Sequence, residues 1–592
     1  MLIMGISFGY HDSSVAIIDN GEIIVAADEE RFSRIKHDNS FPHKSIEFCL
    51  DFMGKKICDI NKIVYYENPY KKFNRLCDTI KIDEANIFND ILQKWILEEK
   101  LDPLKTICQS LNITQDKVTY TDHHLSHAAG AFFSSTLKES AIVTIDGVGE
   151  YETITILKAQ NNTLKKIKSI TLPNSIGMLY SAFTSFLGFE VNEGEYKVMG
   201  MASYGSPIYV DKIKKTISIQ ENGDFSINTD YYNFTTASES HLKEKFFTEF
   251  GESRDIAKDF FIKKEDAPSF LSEQESKNLL LQNIYYANLA ASLQSITEEL
   301  IINIIKEALH LTQSNNLCFS GGVALNATAN GKIKQFFNLN SFFIQPAAGD
   351  SGNALGAALF YTHCILDTPR THKKFSPFLG KSFTEKDILL SIDNYMISNY
   401  KKCETKTFFS KEIAKLLNNN KVIGFFNGRF EFGPRALGHR SIIANPSSSK
   451  MKHIVNEKIK FRELFRPFAP SVLKEEAKYW FNIAEPIDEN SPENYMIATM
   501  AVKKEKRPII PAVTHIDNTA RIQLVDQSNN LYFSVIKEFF KLSNVPMVLN
   551  TSFNLKGEPI VNSPEDAIKT FEMCDMDILA MYPYIIYKSR EV

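Results

Sequence analysis

None of the eight cysteines forms a C-x-x-C pair; they stand singly at 49, 58, 77, 108, 318, 364, 403 and 574. That spacing excludes a zinc knuckle and a dithiol redox motif, and scattered thiols point to a reducing compartment, the cytoplasm. No run of about 18 apolar residues occurs, so no membrane-spanning helix is expected. The opening MLIMGISFGYHD has neither the basic flank nor the cleavage site of a secretory signal. Positive charge is not in excess either. The 67 basic residues meet 71 acidic ones for a net −4, which leaves no broad basic field for nucleic acid or an anionic membrane. What remains is a chain of 592 residues, 44% hydrophobic and 23% charged, the composition of a soluble globular protein with several domains.

Against that balanced background, one stretch is locally basic. Asn427–Ser471 reads NGRFEFGPRALGHRS, a short gap, then VNEKIKFRELFRPFAPS, and it carries Arg429, Arg435, Arg440, Lys460, Arg462 and Arg466 among Gly and Pro turns. Turns fix the backbone, and an arginine fork matches phosphate or carboxylate bidentately. The pattern predicts a pocket for a small, highly charged anion. A solvated basic helix is the alternative, and GPRALG does not fit one.

The first 170 residues contain the same grammar twice. Leu2–Phe8, Val15–Asp19 and Glu22–Ala27 read as strands around a polar turn, GYHDSS, and a hairpin at Asn20-Gly21. Ala141–Ile145, Thr153–Ala159 and Leu164–Ile170 repeat this around DGVGEYE. The repeat predicts a duplicated sheet unit, similar to actin-like ATPases, sugar kinases and heat-shock ATPases. Two Gly-rich turns that open helices follow, LCFSGGVALNATANGK and SFFIQPAAGDSGNALGAALF, and both suit phosphate and ribose. Leu279–Leu311 reads as a core helix. Residues 206–275 read as a polar, irregular insertion, and 365–385, with two prolines and a cationic run, as a linker. Later, a helix is expected at Lys411–Leu417, a strand at Val422–Phe426, and a helix start at Ser563-Pro564.

His123 and His127 stand four apart in DHHLSHAAGAFF, on one face of a helix. Imidazoles at that spacing form a common metal half-site. Asp146 and Asp350, each in a Gly turn, are the best further ligands. Two His and two Asp suit a borderline divalent ion such as Fe(II) or Zn(II).

HHLSHAAGAFF, EGEYKVMGMASYG, SGGVALN, GDSGNALGAA, GPRALGHRSIIA, FRELFRPFAPS and NTSFNLKGEPIV form a set that resembles the O-carbamoyltransferases of the nodulation and antibiotic-tailoring type, over nearly the full length. Ser203 stands where that family commonly has Pro. The resemblance implies an α/β chain: a duplicated actin-like, Kae1-like ATPase domain at 1–364, a linker region at 365–405, and a YrdC-like domain at 406–592. It also implies that carbamoyl phosphate and ATP, with Mg, form carbamoyl adenylate, and that the carbamoyl group then moves to a hydroxyl of a small-molecule or saccharide acceptor. By motif position, Arg435, Lys460 and Arg466 would hold carbamoyl phosphate, with Arg440 and Arg462 as helpers. Asn550 and Ser552 would meet the carbamoyl or adenylate end, and Gly321, Gly322, Asn326 and Lys197 the nucleotide. His123, His127, Asp146 and Asp350 would hold the metal. His11 would take the proton of the acceptor hydroxyl. Hydrogenase-maturation carbamoyltransferases share both domains but add an acylphosphatase domain and Cys-rich fingers. No nucleic-acid or membrane partner is expected, and a homodimer is the commonest oligomer to anticipate. A tRNA threonylcarbamoyl-adenosine enzyme and a nucleotide-gated binding protein are the competing readings.

Overall fold

The computed structural model describes residues 1–79, 92–93, 95–96, 100–234, 241–463 and 465–588. The chain divides into two compact units. One comprises Met1–Tyr10, Val15–Ile24 and Lys55–Lys374; the other comprises His11–Ser14, Val25–Gly54 and Phe375–Val592.

Two five-stranded sheets organise the N-terminal part. The first runs in the order Glu22–Asp28, Ser14–Asp19, Leu2–Ser7, Lys62–Tyr65, Val118–Tyr120; the second runs Thr163–Thr171, Glu152–Gln160, Glu139–Ile145, Asn316–Ser320, Ser341–Ile344. Numbered along the chain, both sheets have the order 3-2-1-4-5. In both, the fourth strand pairs in parallel with the first, and the fifth in parallel with the fourth. This is the duplicated α/β architecture of actin-like ATPases that the repeated grammar predicts. Leu2–Ser7 is buried at every position, as in parallel sheets covered on both faces. The lysine-rich strand Thr163–Thr171 ends its sheet, where exposed Lys165 and Lys166 discourage further pairing.

The long core helix spans Glu273–Thr312, starting six residues before the apolar periodicity does. Its start is set by a capping box: Ser272 Oγ accepts from the Glu275 N–H, and the Glu275 carboxylate accepts from the Ser272 N–H. Residues 206–275 contain the helices Val210–Lys214 and Glu244–Phe250 and a small hairpin, Ile217–Ile219 with Phe225–Ile227.

Helices His123–Ser134 and Ser351–Phe360 pack with their backbones close. A Cβ at Gly356 would lie 1.9 Å from the Ser126 carbonyl oxygen and 3.2 Å from the Gly130 nitrogen, both backbone atoms. Gly356→Ala is therefore expected to push these helices apart and cost about 1–3 kcal/mol, the usual penalty of overpacking. A Cβ at Gly349 meets nothing within 4 Å, so Gly349→Ala is the control in urea unfolding. Equal midpoints for the two variants would reject this account of the contact.

The second unit is built on an eight-stranded mixed sheet in the order Tyr400–Lys402, Tyr584–Tyr587, Ile578–Met581, Ile423–Phe426, Arg440–Ala444, Met547–Ser552, Ala469–Leu473, Gln523–Val525. A three-stranded sheet of Phe481–Asn482, Thr499–Val502 and Thr519–Arg521 accompanies it. The helix expected at Lys411–Leu417 begins earlier, at Lys406, because Thr405 Oγ accepts from the Phe408 N–H. Ser563 caps Pro564–Glu572 in a capping box with Asp566, as the sequence predicts. Two arginines of the Val25–Gly54 segment tie it into this unit. Arg31 donates to the Glu431 and Gly433 carbonyls, and Arg34 to the Pro559 and Ile560 carbonyls. No helix or strand lies between Ile365 and Glu385. Among the described residues no helix is long and apolar enough to cross a membrane.

Candidate active site

His123 and His127 open a helix that follows the last strand of the first sheet, and both are buried. Asp146 follows the first strand of the second sheet, and Asp350 immediately precedes the helix Ser351–Phe360. All four converge. Asp146 Oδ2 lies 3.0 Å from His123 Nε2 and 2.9 Å from His127 Nε2. Asp350 Oδ1 lies 3.6 and 3.5 Å from the same nitrogens, which are 3.1 Å apart. Bonds of about 2.0–2.2 Å around one tetrahedral cation put donors about 3.3–3.6 Å from one another. The set therefore fits a divalent ion, with slightly contracted spacing. Burial disfavours a charged His123, but Asp350 and Asp146 outweigh it and hold the imidazole at about 9. Asp146 stays well below the usual carboxylate range, against the upward push of burial, because both histidines hydrogen-bond it.

His124 lies outside this group. Its Nε2 faces the Glu152 carbonyl at 2.8 Å and its Nδ1 the Thr144 hydroxyl at 2.6 Å. A carbonyl only accepts, so the proton is assigned to Nε2. Burial, with His123 and His127 nearby, pushes His124 down to about 3, and it serves as a neutral strut. The helix start is pinned by Glu150, whose Oε1 accepts from the N–H groups of His123 (2.9 Å) and Asn68 (2.7 Å). Sequence reasoning missed Glu150, since nothing in its spacing links it to a helix 27 residues earlier.

The first Gly-rich turn reaches the same aspartate. Gly322 N–H points to Asp146 Oδ1 at 3.3 Å, and Gly321 has φ +92° with its Cα so near Ile145 that a Cβ would lie 2.1 Å from that carbonyl oxygen. Asn326 is committed locally: its Oδ1 caps the helix Ala327–Phe336 through the Ala329 N–H, and its amide pairs reciprocally with Gln294. Lys197 lies in the helix Glu195–Ala202, its Nζ 5.8 Å from the Phe189 ring and 6.0 Å from that of Tyr196.

In the second unit Arg429, Arg435, Lys460, Arg462 and Arg466 lie in loops around the sheet, and Arg440 opens the strand Arg440–Ala444. Lys460 is buried, and its Nζ donates to the carbonyls of Ser552 (3.0 Å) and Asn554 (2.6 Å) and to Asn554 Oδ1 (2.7 Å). Burial, then Arg462 and Arg466, push its pKa well below the lysine range. Arg521 behaves likewise: burial and the nearby Arg435, Arg462 and Arg466 push its guanidinium well down. Its Nε is buried with no hydrogen-bond partner among the described residues. Four arginines and a lysine thus act on one another, with Glu463, 3.6 Å from Arg466, as a nearby acid. Such crowding favours a polyanion. Arg521 was not singled out from the sequence, where it stands alone in TARIQ, far from the basic block.

Arg462 is aimed by Asn456, which accepts from its Nε at 2.7 Å, and by Phe468, whose ring centroid lies 4.6 Å away. Arg440, expected as a helper on the anion, is directed elsewhere. It is fully buried, donates to the carbonyls of Asn427, Gly428, His439 and Asn562, and lies 3.6 Å over the Phe426 ring. It holds the loop rather than facing Lys460. Asn550 Nδ2 donates to Ala436 O, Ser471 Oγ and Gln523 Oε1, while its Oδ1 is buried without a donor among the described residues. Ser552, two residues on and on the same strand face, donates to Asn554 Oδ1 and meets Lys460. His11 sits beside an acid of its own turn. Its Nδ1 lies 2.9 Å from Asp12 Oδ2, and His37 Nδ1 lies 2.7 Å from the other oxygen of the same carboxylate.

Residues 2–359 match the family model described as carbamoyltransferase N-terminus, and residues 414–588 the carbamoyltransferase C-terminus. An uncharacterized protein of Synechocystis sp. is 38% identical over 632 residues, spanning 100% of this chain and 97% of its own length. Nodulation protein NolNO of Sinorhizobium fredii is 32% identical, over 98% of this chain and 79% of its own. Among solved structures, HypF from T. kodakarensis is 14% identical and covers 62% of this chain and 47% of its own, with a TM-score of 0.28.

Proposed function

This chain belongs to the carbamoyltransferase family, and from that premise we propose an ATP-dependent O-carbamoyltransferase that works through carbamoyl adenylate. Atom balance sets the donor half-reaction. Water releases phosphate and carbamate from carbamoyl phosphate, a carbamate oxygen attacks the α-phosphorus of ATP, and pyrophosphate leaves. Carbamoyl phosphate, ATP and the released pyrophosphate each carry more than one negative charge. Arg435, Lys460, Arg466 and Arg521 neutralise them, and their mutual repulsion falls when the anion arrives. The observation that carries the reading is that a lone buried amide oxygen, Asn550 Oδ1, shares a strand face with the Lys460 partner Ser552. A carbamoyl –NH2 donates to such an oxygen, whereas the ionised oxygens of a phosphoryl group only accept.

In the transfer half-reaction the acceptor hydroxyl attacks the carbamoyl carbon and AMP leaves. His11 takes the hydroxyl proton on Nε2, because Nδ1–H is held by the Asp12 carboxylate. A divalent ion held by His123, His127, Asp146 and Asp350 would supply Lewis acidity toward a carbonyl or phosphate oxygen. The acceptor class is a small molecule or saccharide that offers a hydroxyl.

Mixing the protein with ATP, magnesium and carbamoyl phosphate, without acceptor, tests the donor half. Mass spectrometry is expected to find carbamoyl adenylate and pyrophosphate only when carbamoyl phosphate is present. An adenylate formed from threonine and bicarbonate instead would transfer the assignment to tRNA modification.

A further inference from the structure

Beside the four convergent donors stands a fifth polar side chain that the four-residue set does not use. Asn353 is fully buried, and it lies on the helix that begins after Asp350. The spacing from Asp350 is three residues, so both face the same way, as His123 and His127 do at spacing four. Each of the two packed helices thus presents a pair of donors. The amide of Asn353 lies 3.1 Å from His127 Nε2, within the 2.9–3.6 Å range that separates the four donors from one another.

With Nδ2 turned toward His127, the amide directs hydrogens at a nitrogen whose lone pair a cation would need, and its own Oδ1 is left buried with no donor among the described residues. The oxygen and nitrogen of the carboxamide exchange places by a half-turn about Cβ–Cγ, with the shape of the side chain unchanged. That half-turn removes the conflict at His127 and points an oxygen at the cluster. We propose that Asn353 Oδ1 is a fifth donor to the divalent ion, which makes the centre two imidazoles, two carboxylates and one amide oxygen. A set of five with three oxygens suits an ion that accepts five or six ligands, such as Fe(II), better than tetrahedral zinc.

The inference rests on reading the four residues as a metal centre, and Co(II) tests the two levels separately. Cobalt added to the metal-free full-length protein should bind and give the weak visible absorption of a five- or six-coordinate ion. Failure of the unaltered protein to bind Co(II) would reject the metal centre itself. Asn353→Ala is expected to weaken Co(II) binding by about 10-fold or more and to shift the spectrum toward the intense bands of tetrahedral cobalt. Asn353→Asp keeps an oxygen but cannot donate to His127, and it should retain the weak spectrum and the affinity. An Ala variant that is folded by circular dichroism and unchanged in both readouts overturns the proposal. If the Ala variant does not fold, the Asp variant decides. Retained absorption and affinity support an oxygen ligand, and their loss shows that the amide serves only through its NH2.

Discussion

Lys460→Ala is expected to slow carbamoyl adenylate formation by about 10²–10³-fold, the usual cost of deleting one preorganised group that meets developing charge. The Lys460 amino group is buried and held by the carbonyls of Ser552 and Asn554, so its position is fixed before any substrate arrives. Arg521→Ala should fall in the same range, although it lies well outside the basic block, because Arg521 acts on the same arginines. Pyrophosphate release with carbamoyl phosphate and ATP is the measurement, and full activity in both variants would dismiss the cation cluster as the donor site. The pH dependence has a definite sign. Burial and neighbouring cations hold the Lys460 pKa low in the free protein, and a bound anion favours the charged form. Binding therefore takes up protons, and affinity falls as pH rises through the depressed pKa. Calorimetry of carbamoyl phosphate binding in buffers of different ionisation enthalpy should show that uptake; proton release would contradict it.

Asp146→Asn should produce the second large loss, of a different kind. One carboxylate faces both imidazoles through Oδ2, while its Oδ1 receives the N–H groups of Gly147 and Gly322. The amide keeps the shape but removes the charge and places hydrogens at the donor face. Divalent-metal affinity is expected to drop by more than the roughly 10–100-fold that loss of an outer-shell partner costs. Metal analysis of the purified variant reads this directly. Adenylate formation should persist, because the cations that serve it are other residues, while carbamoyl transfer to an acceptor hydroxyl, with its release of AMP, should fail. Normal metal content would remove Asp146 from the centre, and loss of adenylate formation as well would show that the two half-reactions share these groups.

Several of these features were legible in the residues. Period-two and hairpin signals, repeated around GYHDSS and DGVGEYE, foretold two like sheets, because strand and turn chemistry is local. The i, i+4 spacing separated His123 and His127 from His124, which points about 100° away around a helix. The Ser563 cap was readable for the same reason. Directions of long side chains were not. Arg435 and Arg440 look equivalent in GPRALGHRS, yet Arg440 turns its fork onto four loop carbonyls and the Phe426 ring. Charge is a property of a residue type; where it points depends on packing from distant segments.

The sequence alone was enough for the kinds of element, the duplicated order, the metal-type residues and the basic block, since each follows from neighbours within a few positions. Long-range closure supplied the rest. Glu150 came to cap a helix 27 residues before it, Arg521 came among arginines more than 50 residues away, and Arg31 and Arg34 bonded to carbonyls 400 to 526 positions on. Such partners are chosen by how sheets and loops pack into buried space, where a polar group must find whichever acceptor the fold brings to it. No periodicity along the chain encodes that choice.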